Sequence, residues 1–143
     1  MVQIRLAEES DAAVVAALLT ALGYPIDSLA FMAQSLERQR ADPNAAVLVA
    51  VANQRVVGVI ALYMIPQLAL AGDFCRISYF CVAAAARGQG VGAALEAAAC
   101  GLAQARGCDR IEVHCHSRRV RAHGFYHRQG YRESPQYLVK SLL

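Results

Sequence analysis

The chain has 143 residues, 57% of them hydrophobic and 17% charged, with 14 Lys and Arg against 11 Asp and Glu for a formal charge of +3. That length is one domain's worth of chain, long enough for a proper core and too short for two ordinary domains, so residues 1–143 are read as a single domain. The charge is mild and gathered into no basic block, which gives no ground for a nucleic-acid partner.

The opening MVQIRLAEESD carries acids where a secretory signal would be apolar. No apolar run approaches the roughly 20 residues of a membrane span, so the expectation is a soluble, cytoplasmic protein with no membrane partner. Five cysteines (Cys75, Cys81, Cys100, Cys108, Cys115) lack CxxC spacing. They read as reduced thiols behaving as small hydrophobes.

In chain order, residues 2–6 form a strand candidate. Ser10 is placed to cap a helix whose apolar stripe is Val14, Val15, Leu18, Leu19 and Leu22, stopped by Gly23 and Pro25. Asp27 can cap a second helix with Leu29, Met32 and Leu36 inward, ended by Asp42-Pro43-Asn44. Residues 46–52 and 55–64 read as a hairpin around Asn53-Gln54, and residues 74–82 as a further strand. Three glycines follow, then a helix marked by Val91, Leu95 and Leu102 and stopped by Gly107. A strand (109–115), a short helix (119–129, ended by Gly130) and a terminal strand from Tyr131 complete the order β-α-α-β-β-β-α-β-α-β. Such an order predicts an α/β fold on a mixed sheet, with antiparallel and crossover connections.

The glycines pose the functional question. A glycine-rich turn entering a helix leaves backbone N–H groups without intrahelical partners, a ready anion cradle. A Walker-type loop fails, because Gly92 is followed by Ala93-Ala94 and not by Lys and a hydroxyl residue. Gly88-Gln89-Gly90-Val91-Gly92-Ala93 does satisfy a permissive dinucleotide fingerprint, with Glu112 about 20 residues on for the ribose. Too little chain remains after Glu112 for the βα units that fold needs. The remaining reading is a strand-to-helix turn in which backbone amides and Arg87 hold a diphosphate.

Arg87-Gly88-Gln89-Gly90-Val91-Gly92 resembles the R/Q-x-x-G-x-G/A signature of the GNAT superfamily of N-acetyltransferases. Downstream, Ala122-His123-Gly124-Phe125-Tyr126-His127-Arg128-Gln129-Gly130-Tyr131 is similar to a second stretch of the same family. The order of elements fits as well, with two helices after the first strand. The resemblance implies a mostly antiparallel sheet with flanking helices, acetyl-CoA as cosubstrate, and transfer to a small-molecule or protein amine. Family members are often homodimers; nothing in this sequence specifies one.

Residue by residue, the resemblance implies that the backbone of Phe80, Cys81 and Val82 meets the pantetheine arm. Arg87, Gly88, Gln89, Gly90, Val91, Gly92 and Ala93 would hold the diphosphate. Tyr126 would be the general acid at the departing thiolate, with Phe125 a core aromatic and His123 either a cofactor contact or a structural histidine. The stretch Ile77-Ser78-Tyr79-Phe80 lacks the carboxylate that relatives often carry there. Glu112 and His114, on one strand face by their spacing, are substitute bases beside solvated-residue readings, and water is the third route. Cys81 and Cys115 show no base-and-orienter arrangement, so the amine is expected to attack directly without an acyl-enzyme. The acceptor is expected near residues 23–28 and 66–73.

Two rival classes stand beside the enzyme. One is a non-catalytic acyl-CoA sensor of the same fold. The other is a zinc module built from His114, Cys115, His116, His123 and His127. Against zinc, His114 and His116 share a strand face while Cys115 points away, and no acid or second cysteine pair completes a standard spacing, so no metal is expected. The arginines at 118, 119, 121, 128 and 132 read as solvated helix residues or as partners of a cofactor phosphate.

Overall fold

A computed structural model describes residues 2–115, 119–134 and 137–143. Five strands form one sheet in sequential order: β1 (Gln3–Leu6), β2 (Ala45–Ala52), β3 (Arg55–Pro66), β4 (Asp73–Val82) and β5 (Ile111–Val113). β1 to β4 pair antiparallel and β5 joins β4 in parallel. Helices α1 (Ala12–Leu22) and α2 (Leu29–Ala41) precede β2, α3 (Val91–Ala105) crosses between β4 and β5, and α4 (Val120–Arg128) follows β5.

The alternation of side chains along the strands divides the core between the two sheet faces. Ile60, Leu62, Cys75 and Ile77 meet Val91, Leu95, Ala99 and Ala103 of α3. Val47, Val49, Val59 and Cys81 meet Val15, Leu18 and Leu19 of α1 with Met32 and Leu36 of α2. Ile60, Leu62, Leu95, Val49 and Val59 are fully buried, each contributing about 1.5–3 kcal/mol of transfer free energy.

Local chemistry explains the joints. Gly23, at φ 115, ends α1 in a left-handed turn, with Gly23 N–H donating to Thr20 O and Tyr24 N–H to Leu19 O, both at 3.0 Å. This pairing of the last carbonyls sends Tyr24 out onto the sheet end. Asn53 (φ 51) and Gln54 (φ 64) both take the left-handed conformation of a two-residue hairpin turn.

Several expectations shift. Ser10 lies inside a short 3-10 turn, Glu9–Asp11, and does not cap α1. Ser28, not Asp27, caps α2, its Oγ accepting from Phe31 N–H at 3.0 Å. Leu29, the first residue of α2, is 57% exposed, since that helix buries Met32 and Leu36 further along, and Leu102 is 38% exposed because the buried side of α3 runs 91, 95, 99 and 103. β5 is shorter than the 109–115 expected. The terminal strand is absent among the described residues: 131–134 and 137–143 carry no regular element.

Candidate active site

β4 is the strand on which the site is built. Ala61 pairs with Tyr79 while the next residue, Leu62, pairs with Ile77, so Ser78 is an extra residue without a partner of its own. This β-bulge shifts the alternation: Ile77 and Phe80 both associate with the α3 face, whereas Cys81 joins the α1 face. The Ser78 hydroxyl donates to Ala61 O at 3.2 Å. Pairing with β5 ends at Ile77 and Val113. Beyond the bulge, Phe80, Cys81 and Val82 keep β3 on one side, opposite Ile60, Val59 and Gly58. No strand among the described residues covers their other edge. Pairing with β5 thus stops one residue before the bulge, and the backbone edge beyond it is left for an extended ligand.

That edge runs into the glycine turn. Gly88 (φ 79) and Gly90 (φ 81) are left-handed, a conformation that costs an ordinary L-residue about 1–2 kcal/mol. A Cβ on either would meet nothing within 4 Å, so their backbone faces open space. Gly90 is the N-cap of α3 and no side chain caps the helix, which leaves the first-turn N–H groups of Val91, Gly92 and Ala93 for an external acceptor. Arg87 is exposed beside them, and Gln89 Nε2 donates back to Ala85 O at 3.3 Å. Gly92 has a different role from the other two. A Cβ there would lie 3.2 Å from Phe125 Cε1, so its missing side chain lets α4 pack against the start of α3.

Phe125 in turn meets Phe80 edge-on at 5.6 Å between ring centroids, in agreement with a packing role. Tyr126 meets Phe80 at 6.2 Å, Phe125 at 5.4 Å and Tyr131 at 5.4 Å, all edge to face. Burial above all, with the neighbouring Cys115 and against the opposing Arg119 charge, pushes the Tyr126 phenol up to about 12. It therefore holds its proton throughout the neutral range.

The substitute bases fare less well. Burial favours protonation of Glu112, but hydrogen bonds from Arg76 (2.9 Å) and Arg110 (2.7 Å) outweigh it and hold its carboxyl below the ordinary range. A carboxylate so occupied is a poor proton acceptor. His114 is exposed and stacks on Tyr137 at 4.2 Å. His116 and Arg118 lie outside the described residues.

Cys81 Sγ sits 3.2 Å from Leu18 O in the core, and burial raises its pKa despite the opposing charges of Arg87 and Arg119. That environment suits an inert packed thiol, not a nucleophile.

Of the two acceptor segments, one reaches the opening. Tyr24 packs edge-on against Tyr79 at 5.1 Å, just past the bulge, and both rings are partly exposed. Residues 66–73 do not. Gln67 bonds Asp109 (3.3 Å) and Arg110 (3.0 Å) at the start of β4, the end opposite the opening. The sequence missed Ser78 as a bulge, since a register change depends on the partner strand. Glu96, buried on α3 and accepting from Tyr131 Oη at 2.9 Å, was likewise invisible among alanines.

The sequence pattern of the acetyltransferase (GNAT) family matches residues 15–131. The chain belongs to that family. It is 36% identical over 101 residues to the aminoalkylphosphonate N-acetyltransferase of Salmonella typhimurium, an alignment covering 71% of this chain and 66% of that enzyme, so the chain matches just under two thirds of its relative's length. Its fold is similar to the crystal structure of a transcriptional regulator from Bacillus halodurans (TM-score 0.87, 24% identity, 99% and 100% of the two chains). It is similar also to that of an acetyltransferase from Trypanosoma brucei (TM-score 0.85, 23% identity, 99% and 100%). No helix among the described residues is long and apolar enough to cross a membrane.

Proposed function

We propose that this chain is an acetyl-CoA-dependent N-acetyltransferase acting on a small primary amine by direct attack in a ternary complex. One observation carries the reading: the open β4 edge at Phe80–Val82 leads into a turn whose left-handed glycines face empty space, and Tyr126 packs on Phe80 of that same edge.

The residues present fit such a cosubstrate. The backbone of Phe80, Cys81 and Val82 would bond the amide groups of the pantetheine arm as an added strand would. The N–H groups from Gly88 to Ala93, the α3 dipole and Arg87 would balance the diphosphate charge. The thioester supplies the acetyl group. The acceptor amine, as free base, forms the new C–N bond as the C–S bond breaks, and its proton leaves to water, because no carboxylate stands on Ile77-Ser78-Tyr79.

At the departing sulfur, Tyr126 supplies the hydroxyl hydrogen. A phenol at about 12 is a weaker acid than a thiol at about 8.5. Full transfer is therefore uphill, and the hydroxyl acts chiefly as a hydrogen-bond donor to developing negative charge.

The similarity to an aminoalkylphosphonate N-acetyltransferase suggests aminoalkylphosphonates as the first acceptors to try. Turnover is read as free thiol released from acetyl-CoA across an amine panel, for wild type and Tyr126→Phe. The variant should bind acetyl-CoA normally and lose on the order of 10²-fold in kcat, the lower end of general-acid effects. An unchanged kcat, where chemistry limits, removes Tyr126 from the mechanism. Tight acetyl-CoA binding without turnover on any amine would favour the sensor reading, to which the missing strand carboxylate lends weight.

A further inference from the structure

His123 and His127 stand four residues apart on α4, about one helical turn, so their imidazoles lie one above the other on the same side. The third group comes from beyond the helix. Gly130, at φ 94, reverses the chain, and Tyr131 is then fastened twice: its N–H donates to Tyr126 O at 3.0 Å and its hydroxyl to Glu96 Oε2 at 2.9 Å. Held there, the chain brings Glu133 back onto the helix it has just left. One ligand atom each from His123, His127 and Glu133 lie within 4.8 Å of one another.

This is the acid that no sequence spacing offered. Bonds of about 2.0–2.2 Å in a tetrahedron put ligand atoms about 3.3–3.6 Å apart, so closing the set requires movements of about 1 Å. His127 and Glu133 are exposed and His123 is half-buried, which leaves the two outer side chains room to turn. Each imidazole needs one ring nitrogen for the ion and keeps the other for a hydrogen bond. Two imidazoles with one carboxylate suit Zn²⁺, with water in the fourth position, whereas Ca²⁺ and Mg²⁺ prefer all-oxygen sets. Elsewhere the chemistry is wrong: beside Glu96, burial first and the Glu96 hydrogen bond second push the Cys100 thiol up to about 12, far from the thiolate a metal needs.

We propose that His123, His127 and Glu133 form a three-ligand site for one Zn²⁺ ion, which fastens the segment after α4 to the helix that carries Tyr126. The proposal does not rest on acetyl transfer, and its test reads no activity.

Tag-free protein, stripped with chelator, is titrated with Zn²⁺ by calorimetry and with Co²⁺ by visible absorption. The expected result is one ion per chain with a dissociation constant on the order of 10 μM or tighter, as befits three ligands and not four. Mg²⁺ in large excess should not compete. His127→Ala and Glu133→Gln should each weaken binding about tenfold or more, while His114→Ala leaves it unchanged. Zn²⁺ should raise the melting temperature of wild type and not of His127→Ala. Absence of one-to-one binding at 100 μM Zn²⁺ (roughly ten times that constant) overturns the site, as does affinity indifferent to both variants. An equal loss in His114→Ala would place the ion on the strand side and overturn it too. Should His127→Ala fail to fold, Glu133→Gln alone decides.

Discussion

The hydroxyl of Tyr131 donates to the carboxylate of Glu96 at 2.9 Å, tying the segment after α4 to the middle of α3. Glu96 is only 5% exposed and accepts also from Cys100 Sγ at 2.9 Å. Tyr131 meanwhile closes the left-handed turn at the end of α4 and packs its ring on Tyr126. The helix that begins at the glycine turn and the helix that carries the phenol are thus joined through one buried polar pair.

Removing one partner should cost more than the bond itself contributes. Tyr131→Phe leaves a buried carboxylate with a thiol as its remaining protein donor among the contacts above, and an orphaned buried polar group costs about 1–3 kcal/mol. We expect the melting temperature to fall by several degrees, with a smaller fall for Glu96→Gln, which still offers an acceptor. A double-mutant cycle reads the coupling. A cycle showing no coupling would mean the pair is not formed in solution.

Gly90→Glu and Gly90→Asn separate charge from strain in the glycine turn. Both put a side chain at φ 81, where nothing lies within 4 Å, and Asn tolerates that region best. The glutamate should lose on the order of 100-fold in acetyl-CoA affinity through like-charge repulsion, and the asparagine no more than a few-fold. Equal losses in calorimetry would argue against a diphosphate at this turn. NADH binding tighter than acetyl-CoA would restore the dinucleotide reading.

Asp11 makes stability acid-sensitive. Arg5 holds it through two hydrogen bonds at 2.8 and 3.0 Å, and Glu8 N–H adds a third at 2.8 Å. The Arg5 hydrogen bond, opposed by burial and aided by Glu8, lowers its pKa. A depressed carboxyl contributes stability that is fully present above its unfolded value, about 3.9, and is lost as pH falls through the folded value. Urea midpoints of wild type and Asp11→Asn should therefore differ most at neutral pH and converge below pH of about 4. Parallel curves down to acid would show that the ion pair does not stabilise the fold.

Two glycines should respond to alanine with opposite signs. Gly101 lies within α3, and a Cβ there would meet nothing within 4 Å, so Gly101→Ala should stabilise by about 0.5–1 kcal/mol through helix propensity alone. At Gly58 the new Cβ would stand 2.9 Å from Leu95 Cδ1 and 3.3 Å from Cys81 O. Overpacking there should cost about 1–3 kcal/mol. Thermal melts of the two variants check both signs, and a stable Gly58→Ala protein would mean that β3 and α3 are less tightly packed than described.

What the sequence alone determined is local. Left-handed turns want glycine or asparagine, so Gly23, Asn53, Gly90 and Gly130 marked joints correctly. Apolar periodicity found α1 and the long strands, and the two linked motifs located the glycine turn and Tyr126 on its helix. What only the tertiary structure decided depends on a second segment. Ser78 is a bulge because Ala61 and Leu62 take Tyr79 and Ile77 in turn, a register that no single strand encodes. The phase of α3 follows its crossing over the sheet, which buries Ala103 and leaves Leu102 out. Gly92 is small for Phe125 on another helix. Glu96 finds Tyr131, and Glu133 reaches the two histidines of α4, only because the chain turns back at Gly130. Turn preference and periodicity act over a few residues and can be read along the chain, whereas register, close approach and buried polar pairing are properties of surfaces that meet only after folding.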